Sequence, residues 1–431
     1  MHILIIPSEQ FIPPDNKLDG IFQYHQAMIL KEAGHRIGVL SVHLNFSVPM
    51  ISKGIVFRSI GKKTGNATDN YTIPALLKLG IKKLFYPKSF TTTEVIDGLK
   101  VYRIDGLFYR PPVHNKNHVS WLKAGIICFK EYLLQEGRPD IIHAHNAIYA
   151  GMLAKQIKEE FNLQYIITEH SSAYALQEVE PQTAKMVKES FTYASGLYAV
   201  SEAFASLLNT RFSIQGFRYL PNVLDQHLEK HPCSPETKGD NKFIFLNIAS
   251  LQPVKDQKTL LHAFSKTLAK NKNTELWIGG HGELRDELER QSYELGIEKS
   301  VKFLGLLNRD EVITYLQSCN CFVLSSKYET FGVVVIEAML FGKPVIVTRC
   351  GVGQSIVTDK IGHVVEVSNA EQLAQAMLTI AVNHSAYDPA FIREYTIANF
   401  GRDAFLKKLA KIYREVVTPE KKSEIIKQRI A

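Results

Sequence analysis

The feature that most constrains what this chain can fold into is an alternation of short apolar runs with amphipathic stretches, which occurs twice along its 431 residues. The apolar runs are typical of buried strands, and the stretches between them have the periodicity of helices. Such alternation is typical of parallel sheets covered by helices on both faces. We therefore predict an α/β fold with two doubly wound domains. The predicted strands are residues 3–6, 37–40, 141–143, 165–168, 197–200, 243–248, 276–278, 301–304, 321–324 and 345–347, and predicted helices include 20–33, 284–295 and 331–341.

The domain boundary is predicted near Pro221-Asn222-Val223, because the polar, proline-containing stretch 226–242 after it suits a linker. The first domain then covers residues 1–225 and the second residues 226–399. Residues 46–101 break the alternation and are predicted to be an insertion on the first domain. A lysine-rich helix is predicted at 400–431.

Composition excludes several classes of protein. The 45% apolar and 22% charged fractions are those of a globular chain, and the net charge of +8 suits an anionic ligand but is too weak to indicate nucleic acid. Five cysteines give no disulfide framework. The first residues lack the pattern of a signal peptide, and no apolar run is long enough to span a membrane. We expect a cytoplasmic protein.

Three other patterns give weaker signals. Gly279-Gly280-His281-Gly282 lies between a predicted strand and a predicted helix, but Arg285 takes the third glycine position of a dinucleotide fingerprint, so a simple turn is an equally good interpretation. His143 and His145 can share one strand face, yet no partner stands at ligand spacing, and no metal site is predicted. No Asp-x-Asp that would hold a divalent cation against a diphosphate is present.

The most informative segment is Ser325-Ser326-Lys327-Tyr328-Glu329-Thr330-Phe331-Gly332-Val333-Val334-Val335-Ile336-Glu337-Ala338-Met339, which follows a predicted strand. A helix starting near Phe331 would offer free N–H groups and a positive dipole end to a phosphate, and Gly332 would allow close approach. Glu329 before the helix and Glu337 within it could accept hydrogen bonds from sugar hydroxyls. Because Glu337 stands among apolar residues, its carboxylate needs partners.

This Glu-x7-Glu segment, with Gly-Lys-Pro-Val-Ile after it, resembles the retaining glycosyltransferases of family 4, which have the GT-B fold. The resemblance extends to Gly20-Ile21-Phe22, Thr168-Glu169-His170 and Val301-x-Phe303-Leu304-Gly305. It implies two Rossmann-like domains that face each other across a cleft, with the C-terminal helix returning to the first domain. It also implies transfer of a hexose-type sugar from a nucleotide diphosphate-sugar to a hydroxyl of a saccharide or lipid-linked acceptor, in bacterial envelope polysaccharide synthesis.

The resemblance assigns roles in donor binding to the second domain. Glu329 would contact the donor sugar, Glu337 would hold the ribose hydroxyls, and Lys255 would neutralise the departing diphosphate. No metal and no cofactor beyond the nucleotide-sugar co-substrate would be required. Backbone amides facing the diphosphate or sugar would come from Thr330, Phe331, Gly332 and Val333.

The first domain is implied to contribute Gly20, which would let its loop approach the phosphates, and His170, which would face the donor sugar. The sequence departs from the family pattern at Ser250, where members have an arginine, and at Gln354, where many have an acid. The cation that would replace that arginine is not evident from the sequence.

Two mechanisms for retention stay open: front-face attack, in which the leaving phosphate takes the acceptor proton, and double displacement with Glu329 as nucleophile. Two other functions are also open on this fold, a nucleotide-sugar epimerase and a catalytically silent partner subunit. The lysine-rich, apolar segment from Leu76 to Phe90 could contact the inner face of a membrane, or could be a solvated part of the insertion.

Overall fold

The structure, a computed structural model, describes residues 1–12, 20–47, 55–56, 59, 72–74, 77, 91–108, 117–176, 179–233, 242–351 and 353–417. The candidate membrane segment from Leu76 to Phe90 lies, except for Leu77, outside the described residues, and so does the end of the predicted C-terminal helix, 418–431. Within the described part of the chain, no helix has both the length and the apolar character needed to cross a bilayer.

The chain forms two compact units. Unit 1 comprises Met1–Tyr198, Leu208–Phe217 and Leu409–Ala431, and unit 2 comprises Ala199–Leu207 and Arg218–Lys408. The predicted domain limits differ from these units at residues 199–207, 218–225 and 400–408. Backbone hydrogen bonds explain part of the difference. The N–H of Leu220 donates to the carbonyl of Ala199 and that of Leu224 to the carbonyl of Phe400, both at 3.0 Å.

Unit 1 is built on a sheet in which the strand order is β3-β4-β2-β1-β5-β6-β7-β8. β1 pairs in parallel with β2 and β5, and β5 with β6, as predicted for a doubly wound domain. The strands are β1 (His2–Pro7), β2 (Arg36–Ser47), β3 (Thr91–Ile96), β4 (Leu99–Phe108), β5 (Ile141–His145), β6 (Tyr165–Glu169), β7 (Gly196–Ala199) and β8 (Phe217–Tyr219).

The hairpin of β3 and β4 was not predicted, because its sequence is not a buried apolar run. β3 is an antiparallel edge strand with no buried residue and three consecutive threonines, and β4 carries Lys100 and Arg103. Part of the predicted insertion therefore extends the sheet, since β4 pairs in parallel with β2.

Unit 2 contains a six-stranded sheet among the described residues, in the order β11-β10-β9-β12-β13-β14, and every pair in it is parallel. The predicted strands are confirmed within one or two residues at each end. The additional strand β14 begins at a glycine and is short, so it gave no apolar signal. The strands are β9 (Phe243–Ile248), β10 (Thr274–Gly279), β11 (Val301–Gly305), β12 (Cys321–Leu324), β13 (Val345–Thr348) and β14 (Gly362–Val365).

Helices connect these strands in both units. They are α1 (Ile21–Glu32), α2 (Asn117–Glu136), α3 (Met152–Phe161), α4 (Ala173–Leu176), α5 (Pro181–Tyr193), α6 (Glu202–Phe212), α7 (Gln226–Glu229), α8 (Gln257–Lys270), α9 (Arg285–Glu294), α10 (Arg309–Ser318), α11 (Val333–Leu340), α12 (Gly353–Ile356), α13 (Ala370–Val382), α14 (Pro389–Phe400) and α15 (Arg402–Val417).

The register of each sheet brings functional loops together at the carboxyl ends of the strands. In unit 1, Pro7 of β1 lies opposite His145 of β5, which lies opposite Thr168 of β6. In unit 2, Phe322 of β12 lies opposite Leu246 of β9. Ligands of open α/β sheets bind at this edge, so the loops after β1, β5 and β6, and those after β9 and β12, are where a site is expected.

Candidate active site

The segment after β12 ends in a left-handed glycine that starts α11. Gly332 has φ +88° and is the N-cap residue, so the helix begins at Val333 and not near Phe331 as predicted. Gly332 suits this conformation because a side chain is strained at such φ values. Glu337 is thus the fifth residue of the helix, little more than one turn from its N-terminus.

Lys255 and Glu329, which are 74 residues apart, form an ion pair in unit 2. The Lys255 ammonium lies 2.6 Å from Glu329 Oε1, and the two side chains are 21% and 12% exposed. The same oxygen accepts a hydrogen bond from Ser326 Oγ at 2.7 Å. A Cβ atom placed on Gly332 would lie 3.9 Å from Glu329 Cγ. The pair therefore lies beside the positive end of α11.

Two hydrogen bonds to backbone carbonyls join the two loops that carry this pair. Ser325 Oγ donates to the carbonyl of Lys255 at 2.9 Å, and the N–H of Lys327 donates to the carbonyl of Val254 at 2.7 Å. The position of the ammonium relative to the carboxylate thus follows from the fold of both loops.

The other residues predicted to offer backbone amides differ in how far their side chains are buried. Phe331 is 3% exposed and packs edge-to-face on Phe400, with ring centroids 6.0 Å apart, so its side chain belongs to the core of unit 2. Thr330 and Val333 are half-buried. For Phe331, only the backbone is available to a ligand.

Glu337 has the partner that its apolar surroundings require, and sequence reasoning missed it. Glu337 Oε1 accepts from Arg309 Nη2 at 2.8 Å, and its side chain is 5% exposed. Arg309 is the first residue of α10 and also contacts Asp225. Nothing in the sequence connects an arginine at a helix start with an acid 28 residues later.

Ser250, where the resemblance leads one to expect an arginine, takes part in a local turn. Its hydroxyl donates to Gln252 Oε1 at 3.4 Å, and its carbonyl accepts from Gln257 Nε2 at 3.1 Å. Among the described residues, the cations placed at the two glutamates are Lys255 and Arg309.

In unit 1, Gly20 is the N-cap of α1 and has φ +69°. A Cβ there would lie 2.9 Å from the carbonyl oxygen of Gln10 and 3.0 Å from Phe11 Cα, so two stretches of backbone approach too closely for any larger residue. The first turn of α1 lies near His170, the other predicted residue of this unit, because the rings of Phe22 and His170 are parallel with centroids 6.5 Å apart.

His170 is held by residues from β5 and its following loop. Its Nε2 lies 3.0 Å from His145 Nδ1, and its backbone N–H donates to Asn146 Oδ1 at 2.9 Å. Asn146 Nδ2 in turn donates to Glu9 Oε2 at 3.1 Å, and Glu9 Oε1 accepts from Gln23 Nε2 at 2.7 Å. Glu9 and Asn146 were not predicted, since neither lies in a motif.

A buried polar group, Glu169, precedes His170 at the end of β6. Glu169 is fully buried and accepts hydrogen bonds from the backbone N–H groups of Ala147, His170 and Ser171. Burial raises the pKa of Glu169 to about 7, although these three donors favour the charged form. The carboxyl group ties the end of β6 to the turn after β5.

His143 and His145 stack with ring centroids 4.5 Å apart, and burial lowers the pKa of His143 to about 3 and that of His145 well below its usual value. The ring nitrogens of His143 are all used by protein groups, namely Gln26, Tyr413 and Thr168. Within the described residues, no three His, Cys, Asp or Glu side chains are grouped as a metal site would need.

The turn after β5 is strained. Asn146 has φ +69° and Tyr149 φ +70° with ψ −73°, which is the rare γ-turn conformation. Such strain persists only where surrounding contacts enforce it, and it occurs often at functional sites. Here Ser8 Oγ, which donates to the carbonyl of His145 at 2.9 Å, and the stacked ring of Trp121 on Tyr149 hold the turn.

Comparisons with known proteins agree with this architecture. The pattern of the family described as "Glycosyl transferases group 1" matches residues 234–388, and that of "Glycosyltransferase Family 4" matches residues 92–227. An uncharacterised glycosyltransferase of Methanocaldococcus jannaschii is 26% identical over 73% of this chain and 82% of that protein. The N-acetyl-alpha-D-glucosaminyl L-malate synthase of Bacillus anthracis is 25% identical over 66% of this chain and 77% of that protein.

Among solved structures, HepE of Anabaena in complex with UDP superposes with a TM-score of 0.64 at 16% identity, covering 96% of this chain and all of that one. At this identity the likeness shows the fold. Together the two family patterns cover strands β4 to β8 of the first sheet and all of the second, and the relatives are glycosyltransferases. The chain therefore belongs to glycosyltransferase family 4 and is a glycosyltransferase with the GT-B fold.

Proposed function

We propose that this glycosyltransferase moves a hexose from a nucleoside diphosphate-sugar to a hydroxyl of a saccharide or lipid-linked acceptor, with retention at the anomeric carbon and without a metal ion. The observation that carries the proposal is the Lys255–Glu329 pair at the N-terminus of α11. It combines a cation and a helix dipole, which stabilise a departing diphosphate, with a carboxylate that accepts hydrogen bonds from sugar hydroxyls.

The donor would lie along the carboxyl end of the second sheet. The backbone amides from Thr330 to Val333 would face the diphosphate or the sugar, and Lys255 would neutralise the charge that develops on the leaving group. Glu337 would accept from the ribose hydroxyls through Oε2, to which no described residue donates a hydrogen bond. The roles that the resemblance implies for His170 and Gly20 in unit 1 stay predictions.

Front-face attack is the mechanism that the site favours. The bond from the anomeric carbon to the phosphate oxygen breaks with its electron pair going to the diphosphate. The acceptor oxygen bonds to the same face, and its proton passes to the leaving phosphate oxygen. Double displacement would need Glu329 as a free nucleophile, yet its Oε1 already accepts from Lys255 and Ser326. Two donors on one carboxylate oxygen lower its nucleophilicity.

The chemical class of the acceptor is proposed from the family resemblance. It favours a saccharide or lipid-linked saccharide made in bacterial envelope polysaccharide synthesis. The donor sugar and base are the quantities that an experiment should determine first, because the contacts proposed in unit 2 suit any nucleoside diphosphate-sugar.

The test measures nucleoside diphosphate release from UDP-, GDP- and ADP-hexoses, with and without oligosaccharide acceptors. Glu329→Gln and Lys255→Met should each lower kcat/KM about 100-fold or more, since removing one preorganised charge at a reacting centre has effects of that order. Lys258→Met is the matched control, because Lys258 forms an exposed pair with Glu287 in the same unit.

The configuration of the product, read by proton NMR at the anomeric position, tests retention. Full turnover by Glu329→Gln and Lys255→Met would refute the roles given to these side chains. Conversion of the donor to an epimer without acceptor would contradict transfer as the reaction.

A further inference from the structure

Glu337 is a buried acid in an otherwise apolar helix, and its environment is unsymmetrical. The residue is 4% exposed, and its helix neighbours from Val335 to Leu340 are all buried. Arg309 Nη2 donates to Oε1 at 2.8 Å, whereas no described residue donates to Oε2. The carboxylate is thus anchored by one oxygen and open at the other.

The anchor is itself held by a second acid. Arg309 donates to Asp225 Oδ2 through Nε at 3.1 Å and through Nη2 at 2.9 Å. Asp225 is fixed in turn, because its Oδ1 accepts from the N–H of His227 as the N-cap of α7. One guanidinium edge therefore bridges two carboxylates that come from different segments of unit 2.

The capped start of α10 fixes the backbone position of Arg309. Asn308 caps the helix, since its Oδ1 accepts from the N–H of Glu311 and its own N–H donates to Glu311 Oε2. This capping box places Arg309 at a defined position in the first turn. Burial alone would lower the pKa of Arg309, but Glu337 and Asp225 raise it, so the side chain stays charged.

We propose that Arg309, itself held by Asp225, is a positioning residue that fixes Glu337 with Oε2 directed to the ribose hydroxyls of the donor. This inference rests on the proposed function, in which Glu337 binds the ribose. A buried carboxylate without a cation is strongly unfavourable and would turn away or take up a proton. In either state the carboxyl group of Glu337 would no longer accept hydrogen bonds from two vicinal hydroxyls through one oxygen held in a fixed position.

The test uses isothermal titration calorimetry of the full chain with UDP and GDP, and with the 2′,3′-dideoxy analogue of whichever binds more tightly. Arg309→Gln should weaken binding of the ribonucleotide about tenfold or more, the worth of one hydrogen bond to a charged group. It should leave binding of the dideoxy analogue unchanged, because that ligand has no hydroxyls for Glu337.

The double variant Arg309→Gln/Glu337→Gln should bind no more weakly than Glu337→Gln alone, since Arg309 acts through Glu337. Asp225→Asn should show a smaller loss of the same kind. The matched control is Lys266→Gln, which removes a cation from the exposed pair with Glu371 in the same unit and should bind as the wild type does.

Three results would overturn the inference: equal ribonucleotide affinity in Arg309→Gln and wild type, an equal loss for the dideoxy analogue, or additive losses in the double variant. Absence of nucleotide binding in the wild type would refute the proposed function itself, and this inference with it. If Arg309→Gln does not fold, Arg309→Lys and Asp225→Asn are judged by the same comparison of ribose and dideoxyribose ligands.

Discussion

Replacing His143 by glutamine should make unit 1 less sensitive to acid. His143 is fully buried on β5. Its Nδ1 faces Gln26 Nε2 at 2.9 Å, and because an amide nitrogen can only donate, Nδ1 must accept. The proton of the neutral ring is then on Nε2, which donates to Thr168 Oγ1 at 2.7 Å. A second proton on Nδ1 would point at the Gln26 N–H, so the folded state resists protonation of this ring.

The size of the effect follows from the pKa values. Burial lowers the folded-state pKa of His143 to about 3, from 6.5 in the unfolded chain. Between these values the unfolded state binds more protons, so the free energy of unfolding falls as pH falls. Each pH unit is worth about 1.4 kcal/mol, and the interval from pH 6.5 to pH 5 gives a loss of about 2 kcal/mol from this group alone.

Other groups nearby also titrate, but they are common to the two proteins. His145 has a lowered pKa and adds a slope of the same sign. Glu169 has a raised pKa of about 7 in the folded state. Its contribution to the free energy of unfolding is therefore fully present below its pKa in the unfolded chain and is lost as pH rises toward 7. This pH dependence is opposite in sign to that of the histidines. Because His145 and Glu169 are present in both proteins, subtracting the unfolding free energy of His143→Gln from that of the wild type cancels most of what these two groups contribute.

The two tryptophans make the assay specific to one unit. Trp121 is buried in unit 1 against Tyr149, and Trp277 belongs to unit 2. In a Trp277→Phe background, urea unfolding followed by fluorescence reports on unit 1. His262→Gln, an exposed position on α8, is the control. Parallel plots of unfolding free energy against pH for wild type and His143→Gln would refute the reasoning from burial.

Two further predictions concern backbone conformation. Gly20→Ala should lower the thermal unfolding temperature of unit 1 more than Gly332→Ala lowers that of unit 2. Both residues lie at positive φ, which costs about 1–2 kcal/mol for alanine, but only the Cβ at Gly20 meets backbone atoms within 3.0 Å. Asn308→Ala should cost about 1 kcal/mol of unit 2 stability through loss of the α10 cap, measured by urea unfolding with Trp277 fluorescence, since Trp277 packs on Tyr315 of that helix.

The apolar alternation predicted most of both sheets, because buried parallel strands must be apolar on both faces. The strands 243–248 and 321–324 are confirmed with the predicted ends. The edge hairpin β3–β4 was missed for the converse reason: an edge strand with one solvated face carries threonines and charges, and its pattern is that of a polar insertion. Gly332 explains the two-residue error at the start of α11, since a left-handed N-cap delays the helix without altering the apolar periodicity.

The site was predicted as far as its motifs extend. Lys255 and Glu329 lie in contact, and Gly20 lies near His170 through Phe22, but the assigned roles of these residues stay predictions. Asn146, Glu9 and Arg309 belong to no motif, and their importance comes from loops that meet only at a sheet edge. Sequence distance conceals such contacts, as in the pair of Arg309 with Glu337.

A sequence can indicate that a buried acid needs a partner, but it does not indicate which residue the partner is. An acid among apolar residues, such as Glu337, reveals that a partner is required, because an uncompensated buried charge is too costly to persist. It does not reveal the partner, since any loop at the same edge could supply a cation. In this chain the partner is Arg309, and Asp225 shares the same guanidinium. Because the guanidinium of Arg309 holds Oε1 of Glu337, Oε2 is the oxygen left to accept hydrogen bonds from hydroxyls. Under the proposed function, ribose recognition falls to Glu337 within α11, and diphosphate stabilisation falls to Lys255, which lies beside the start of the same helix.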